Sequence, residues 1–262
     1  MSAKNPQNKD FILSKRFDLA QDIFGAIAFA LTIVQGITLL IPAKIFLVIS
    51  SVILMVECVS SYYKSVFFDK GHRIREVGLI DNSFNKKRIP NYNSELYYNN
   101  ASISNDEIKL LANIHENSLF SSRIAEKMAF PYYLFSVLAF LFFIIKLFMS
   151  GMDDYSSLLL SFIVSSSFFD RAIKLHSLKK SSEDIYEKIN EICSGYEKCS
   201  VKTSIILPQI IEVLLLYENA VFESKINLSE RIFCRLNCSL SKEWIDIRNS
   251  YLIYKNQAEK TK

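Results

Sequence analysis

Glycine and proline are scarce in this sequence, with 6 and 5 occurrences among 262 residues. Both residues punctuate turns, so their scarcity argues against a turn-rich β fold and favours helices. Cysteine occurs 5 times, an odd number in a chain that is not small. This argues against a disulfide framework and favours a reducing compartment. We therefore expect an all-α protein with reduced cysteines.

Recognisable catalytic motifs are also missing, since the sequence has no phosphate-binding loop, dinucleotide glycine pattern, G-x-S-x-G or H-E-x-x-H. The pairs Cys193 with Cys199 and Cys234 with Cys238 are spaced more widely than is usual in structural zinc sites. The net charge of +4 is too small to indicate nucleic-acid binding. We therefore predict a protein that is not an enzyme, with no metal, no cofactor and no direct contact with nucleic acid.

What the sequence does contain is a series of long apolar runs. Residues 23–43 carry no charge over 21 positions, and about 20 apolar residues suffice to cross a bilayer. Residues 45–63 follow with Glu57 as their one charged residue, so these two runs predict a transmembrane hairpin. Residues 128–145 and 155–169 predict a second hairpin. The expected fold is an all-α integral membrane protein with four transmembrane helices and a helical cytoplasmic portion.

Two apolar runs allow another interpretation. Residues 205–217 are apolar but number only 13 and contain Pro208 and Glu212. Because this run is too short to cross a bilayer, we expect a buried helix of the soluble portion. A cleaved signal peptide is not expected, because the A-x-A spacings fall inside the first apolar run instead of after it.

Basic residues orient the chain. Of 31 Lys and Arg residues, 29 flank the hairpins and only Lys44 and Lys146 lie in the hairpin turns. The positive-inside rule therefore places both termini and the middle of the chain in the cytoplasm. The predicted organisation is a cytoplasmic N-terminal segment 1–22, a hairpin 23–63, a cytoplasmic middle segment 64–127, a second hairpin 128–169 and a cytoplasmic helical domain 170–262.

Serines within the fourth apolar run are candidate functional residues. Ser157, Ser161 and Ser165 are spaced by four, so they share one face of a helix. Small hydroxyl residues at this spacing let helices approach closely in a bilayer. The face therefore either packs against a neighbouring helix or lines a water-filled path.

The first two runs carry matching polar residues, namely Thr32, Gln35 and Glu57. An intramembrane carboxylate is a functional hypothesis by default. Glu57 is either such a group or an interfacial one, because Lys64 follows only two turns later. Any path lined by these residues needs several subunits, since four spans enclose no wide pore.

The segment "RIREVGLIDNSF" is the densest polar motif outside the apolar runs. Arg73 and Arg75, with Asp81 and Asn82, are candidate ligands for a phosphate or nucleotide, since arginine suits bidentate phosphate contacts. Alternatively, the arginines follow the membrane boundary rule, and Asp81 and Asn82 form a turn or a helix end.

The two hairpins, the middle segment with "RIREVGLIDNSF" and the helical C-terminal part together resemble the SMODS-associated four-transmembrane effectors of bacterial antiphage systems. The resemblance is one of architecture over most of the chain. It implies a homo-oligomeric effector of abortive infection that permeabilises or depolarises the bacterial inner membrane when a cytoplasmic sensor protein or nucleotide signal triggers it. The alternative is a non-conducting membrane anchor or immunity-type partner of a cytoplasmic complex.

Overall fold

The fold was analysed in a computed structural model, which describes residues 6–38, 42–88, 100, 102–104, 106–152, 156–157, 159–160, 163, 167–199 and 203–259. All regular structure in these residues is helical, in agreement with the all-α prediction. The seven helices are α1 (Pro6–Thr38), α2 (Ala43–Phe84), α3 (Glu107–Ser150), α4 (Ser167–Cys199), α5 (Thr203–Ser224), α6 (Glu230–Ser250) and α7 (Leu252–Glu259).

Four helices in the described part of the chain are long and apolar enough to span a membrane. They lie at Lys9–Gln35, Lys44–Phe84, Glu107–Met149 and Ile205–Ser224. The second and third contain the predicted runs 45–63 and 128–145, and the first overlaps the predicted run 23–43 over residues 23–35. The fourth predicted run, 155–169, is interrupted by residues outside the described part of the chain, and the fourth candidate among the described residues is α5 instead.

The described residues form two compact units. The hairpin unit takes residues 11–68 and 129–174, and so holds most of α1, the first part of α2, the second part of α3 and the start of α4. The core unit takes residues 69–128 and 175–262 together with the described residues before Phe11.

Helix α2 ends in a left-handed cap. Asn85 has φ of 50°, and the N–H of Lys86 donates to the carbonyl of Asp81 at 2.9 Å, which is the long-range bond of a Schellman motif. The helix continues to Phe84 because Leu79 is fully buried and the Ser83 hydroxyl bonds back to its carbonyl at 2.8 Å.

Helix α3 begins after an aspartate cap. The Oδ1 of Asp106 accepts hydrogen bonds from the N–H groups of Ile108 at 2.8 Å and Lys109 at 3.2 Å. Asp106 is therefore the N-cap of α3. Ser104 supports it, since its hydroxyl donates to Oδ2 of Asp106 at 2.9 Å.

The core unit is held together by one apolar cluster to which α2 to α7 contribute. Fully buried members come from successive helices, namely Leu79, Leu111, Ile189, Ile210, Trp244 and Ile253. On α4, Ile185 and Ile189 are one turn apart and both lie in this cluster. Ile173, nearer the start of the same helix, belongs to the hairpin unit and is 65% exposed.

Helix α5 has one buried and one exposed apolar face. Ile206, Ile210 and Val213 are buried in the core of its unit. Ile211 and Leu215 lie on the opposite side and are exposed. The helix is 22 residues long, which is longer than the 13-residue run in the sequence suggested, because it extends through less apolar residues at its C-terminal end.

Candidate functional site in the hairpin unit

The first two helices of the hairpin unit run antiparallel to one another. The hydroxyl of Ser14 donates to the carbonyl oxygen of Lys64 at 3.0 Å, near the start of α1. Further along, Ala28 shares a buried cluster with Ile53. Residue numbers along α1 therefore rise as those of the contacting residues on α2 fall. The residues of α1 that face α2 can be identified turn by turn from this register.

This inner face of α1 carries small and polar residues in place of large apolar ones. Its buried members are spaced by three, four or seven positions, and they are Ser14, Gln21, Gly25, Ala28, Thr32 and Gln35. The outer side of the same helix carries exposed apolar residues such as Leu19, Ile27 and Val34. The hydroxyl of Thr32 donates to the carbonyl of Ala28 at 2.8 Å, which satisfies it within the helix.

The same inversion of polarity holds for the other helices of the unit. On α2, Glu57 and Ser60 are buried, whereas Met55 is 71% exposed. On α3, Ser136 is buried, whereas Phe130 is 69% exposed. A soluble protein places its polar side chains outward, so the hairpin unit is arranged as a membrane protein is, with an apolar outside and polar groups inside.

A buried arginine ties three helices of the unit together. The guanidinium of Arg171, on α4, is 4% exposed and forms ion pairs with Asp18 and Asp22 on α1. Its Nη1 also donates to the hydroxyl of Tyr132, on α3, at 2.6 Å. From α2, Lys64 reaches Asp18 at 2.7 Å. We call these five residues the arginine cluster.

The arginine cluster balances its own charge. Two cations face two carboxylates, and the Tyr132 hydroxyl donates to Asp22 at 3.2 Å. Breaking such a buried pair by removing one partner leaves an uncompensated charge and costs about 3–5 kcal/mol. The residues of the cluster are not among those predicted from the sequence. The available signal was that Asp18 and Asp22 sit one turn apart just before the first apolar run, with Arg171 just after the fourth.

The carboxylate of Glu57 lies beside the α1 backbone at Gly25. A Cβ atom at Gly25 would stand 3.5 Å from the Oε1 of Glu57 and 3.0 Å from the ring of Phe168. Glu57 is 7% exposed. The first two runs therefore bring a carboxylate to the inner face of the unit, one turn beyond the level of the arginine cluster.

The predicted lining residues fall into two groups. Thr32, Gln35 and Glu57 all lie on inner faces, and Gln35 is only 1% exposed. Ser157 is exposed, whereas its neighbour Ser156 is buried. Ser161 and Ser165 lie outside the described residues, as does most of the predicted serine face.

The residues singled out in "RIREVGLIDNSF" contact different parts of the core unit. Arg73 is exposed. Arg75 donates to Oε2 of Glu218 at 2.5 Å. Asp81 accepts from the backbone N–H of Arg88 at 2.9 Å and from its Nε at 2.6 Å.

Asn82 is used differently again, because its Oδ1 accepts from the amide of Asn113 on α3 at 3.0 Å. Asp81 and Asn82 thus lie at a helix end, as one of the two interpretations of the motif expected. The structure does not gather the four residues into one site.

Asn113 belongs to a buried polar network in the core unit. The amide of Asn100 donates to Oδ1 of Asn113 at 2.9 Å and to Oε2 of Glu116 at 2.8 Å. The indole N–H of Trp244 donates to Oδ1 of Asn100 at 3.1 Å. Burial raises the pKa of Glu116 to about 7, and the hydrogen bond from Asn100 opposes part of that rise. The network therefore contains a carboxyl group that titrates near neutral pH.

Next to this network, His115 is enclosed by aromatic rings. The ring centroids of Tyr186 and Trp244 lie 4.8 Å and 5.2 Å from that of His115. Its Nδ1 is 3.1 Å from the hydroxyl of Tyr254. Burial lowers the pKa of His115 to about 3, so the ring is neutral at physiological pH. This histidine acts as a packed core residue.

Among the residues that the structure describes, no group of His, Cys, Asp and Glu is arranged to hold a metal ion. Of the cysteines with described side chains, Cys58, Cys234 and Cys238 are exposed and Cys193 is buried, and none is in a disulfide. No protein-family model matches the chain, and no significant match was found among curated proteins or solved structures. The resemblance to the SMODS-associated effectors thus stays a prediction.

Proposed function

We propose that this chain is a membrane effector of bacterial antiphage defence. In this proposal the hairpin unit is inserted in the inner membrane, both termini are cytoplasmic, and several copies assemble. On activation the assembly permeabilises or depolarises the membrane, and the cell aborts the infection. The core unit receives the trigger, which is a cytoplasmic sensor protein or a nucleotide signal.

The observation that carries the proposal is the inverted polarity of the hairpin unit. Its outer surface is formed by residues such as Met55 and Phe130, which only lipid would solvate well. Its interior holds a carboxylate, a glutamine and the arginine cluster, groups that are costly in a bilayer and mark ion or substrate pathways when present there. A protein that only anchored a partner would need the first feature, and would use the second only as contacts between its own helices.

Burial of the candidate lining residues indicates how such a protein is kept closed. Thr32, Gln35 and Glu57 face the interior of a single chain, so they line no open path between copies in this state. We propose that this is the resting form and that activation separates the inner faces. The same buried residues also support the alternative, a non-conducting anchor or immunity-type partner, since polar side chains also form contacts between membrane helices.

The test is the membrane potential of bacteria that express the chain with its neighbouring genes, followed with a voltage-sensitive dye after phage challenge. We expect rapid depolarisation with the wild-type chain and a strong reduction with Gln35→Leu, which removes a polar group from the inner face. The matched control is Ala30→Leu, which introduces the same side chain on the exposed side of α1 and is expected to leave depolarisation unchanged.

An unchanged potential with the protein present in the membrane would contradict the effector function. Co-purification of a defined cytoplasmic partner under the same conditions would then support the anchoring role. Equal depolarisation by the wild type and Gln35→Leu would support the effector function. It would show that the inner face of α1 does not line the conducting path.

A further inference from the structure

The arginine cluster takes at least one side chain from each of the four helices that enter the hairpin unit. Asp18 and Asp22 belong to α1, Lys64 to α2, Tyr132 to α3 and Arg171 to α4. The guanidinium of Arg171 is at the centre, because it contacts both carboxylates and the phenol hydroxyl. Its Cζ also lies 5.1 Å from the centroid of the Tyr132 ring. The cluster therefore holds α1, α3 and α4 together through one buried side chain, and Lys64 adds α2 through its contact with Asp18.

The position of the cluster along the chain coincides with one end of the predicted membrane spans. Asp22 immediately precedes the first apolar run, Lys64 immediately follows the second, and Arg171 follows the fourth by two residues. In the predicted orientation this is the cytoplasmic end of every span. The candidate lining residue Gln35 lies further along α1, so a path between the inner faces has to pass the cluster to reach the cytoplasm.

Burial of the cluster makes it suited to a reversible contact. Taking two carboxylates and two cations out of water cancels much of their mutual attraction, so buried ion pairs are better established as switches than as sources of stability. Among the described residues of the same unit, Oδ1 of Asp22 and the side-chain oxygens of Gln21 and Ser136 are also buried without a hydrogen-bond partner. Water between separated inner faces would solvate all of these groups, which lowers the free energy of an open arrangement.

Three members of the cluster lie close, along the chain, to the core unit. Helices α2, α3 and α4 each pass from one unit to the other, at residues 68–69, 128–129 and 174–175. Lys64, Tyr132 and Arg171 are each three or four residues from that point, which is about one helical turn. A shift or rotation of these helices within the core unit would therefore act directly on the cluster.

We propose that the arginine cluster is an ionic latch that keeps the membrane effector closed. In the resting chain its ion pairs hold the inner faces together at the cytoplasmic end of the spans. Activation of the core unit moves the helices that carry Lys64, Tyr132 and Arg171, the ion pairs separate, and water enters between the faces. The inference rests on the proposed function and deepens it by naming the contact that regulates opening.

The experiment measures the membrane potential of bacteria that express the full-length chain with its neighbouring genes and are not challenged with phage. We expect cells with the wild-type chain to stay polarised and cells with Asp22→Asn to depolarise. This variant keeps the size of the side chain but removes one of the two carboxylates that pair with Arg171. The loss is expected to lower the ratio of closed to open chains by more than about a hundredfold. Tyr132→Phe, which removes one hydroxyl, should depolarise the cells less.

A second variant separates the loss of an ion pair from the creation of an unpaired charge. Asp18→Asn combined with Lys64→Met removes one carboxylate and one cation together, so Arg171 and Asp22 remain as a balanced pair. We expect this double variant to depolarise unchallenged cells as well.

The matched control comes from the same helix as Arg171. Asp170→Asn removes an exposed carboxylate that pairs with Lys174, and it should leave unchallenged cells as polarised as the wild type does. The amount of each variant in the membrane fraction and its size-exclusion profile in detergent establish that it is inserted and folded. A variant that only failed to fold would lose the response to phage without depolarising unchallenged cells, so a gain of depolarisation identifies the latch.

Two results would overturn the latch. One is that unchallenged cells stay polarised with folded Asp22→Asn and with the folded double variant, while phage still depolarises cells with the wild-type chain. That outcome would leave the effector function standing. The other is that Asp170→Asn depolarises unchallenged cells as strongly as Asp22→Asn, which would make the effect one of surface charge. If neither phage nor any variant changed the potential, the effector function itself would be refuted.

Discussion

At the scale of single residues, Glu116 makes the sharpest prediction because its carboxyl group is held partly out of water. Its pKa is about 7 in the folded chain against 4.5 ordinarily. As pH rises between these values, the unfolded chain ionises while the folded one stays protonated, so the folded state loses stability. The loss is complete above about pH 7 and amounts to about 3 kcal/mol.

We therefore expect Glu116→Gln to be more stable than the wild type at pH 8 and to lose that advantage as pH falls below 4.5. Glutamine can still accept the hydrogen bond from Asn100. Trp244 is the only tryptophan of the chain and bonds to the same asparagine, so its fluorescence reports unfolding of this network. Glu243→Gln, at an exposed pair with Arg123, is the control. A stability difference between Glu116→Gln and the wild type that does not vary with pH would refute the argument.

At the scale of helices, close packing in the hairpin unit depends on Gly25. A methyl group there would lie 3.0 Å from the ring of Phe168. That ring packs against Phe135 at an interplanar angle of 36° with centroids 4.4 Å apart, so it has little room to yield. We expect Gly25→Ala to destabilise the unit by about 1–2 kcal/mol through overpacking. This outweighs the gain of about 0.5–1 kcal/mol that alanine gives within a helix.

The control for Gly25→Ala is Gly195→Ala on α4, where an added Cβ would meet no atom within 4 Å. That substitution should raise the unfolding temperature in detergent, while Gly25→Ala should lower it. If both substitutions raised it, the close approach of α1 to Phe168 and Glu57 would not constrain the fold.

The helices also show which parts of the fold can be predicted from the sequence alone. Apolar runs predict α1, α2 and α3 because burial in lipid or protein requires long uncharged stretches. The end of α2 could not be predicted, because it depends on two features of the folded chain. These are the left-handed conformation of Asn85 and the burial of Leu79. The arginine cluster could not be predicted either, because Arg171 and Asp18 are 153 positions apart and only the packed bundle brings them together.

At the scale of the whole molecule, the alternative to four transmembrane helices is that α5 forms a fifth. This helix is apolar and long enough to span a membrane, and a fifth crossing would move the C-terminus outside. Two contacts argue against it. Glu218 bonds to Arg75 of α2, and Glu212 bonds to Lys188 of α4, so insertion would carry two carboxylates into lipid at a cost of about 2.5–3.5 kcal/mol for an acidic residue at its centre.

We therefore expect alkaline phosphatase fused after residue 41 or after residue 152 to be active, and the same enzyme fused after residue 88 or at the C-terminus to be inactive. Green fluorescent protein at these positions should give the opposite pattern, which controls for expression. An active C-terminal phosphatase fusion would mean that α5 crosses the membrane. It would also require the buried face of α5, including Ile210 and Val213, to leave the core unit, so the inserted chain would differ in fold from the one described above.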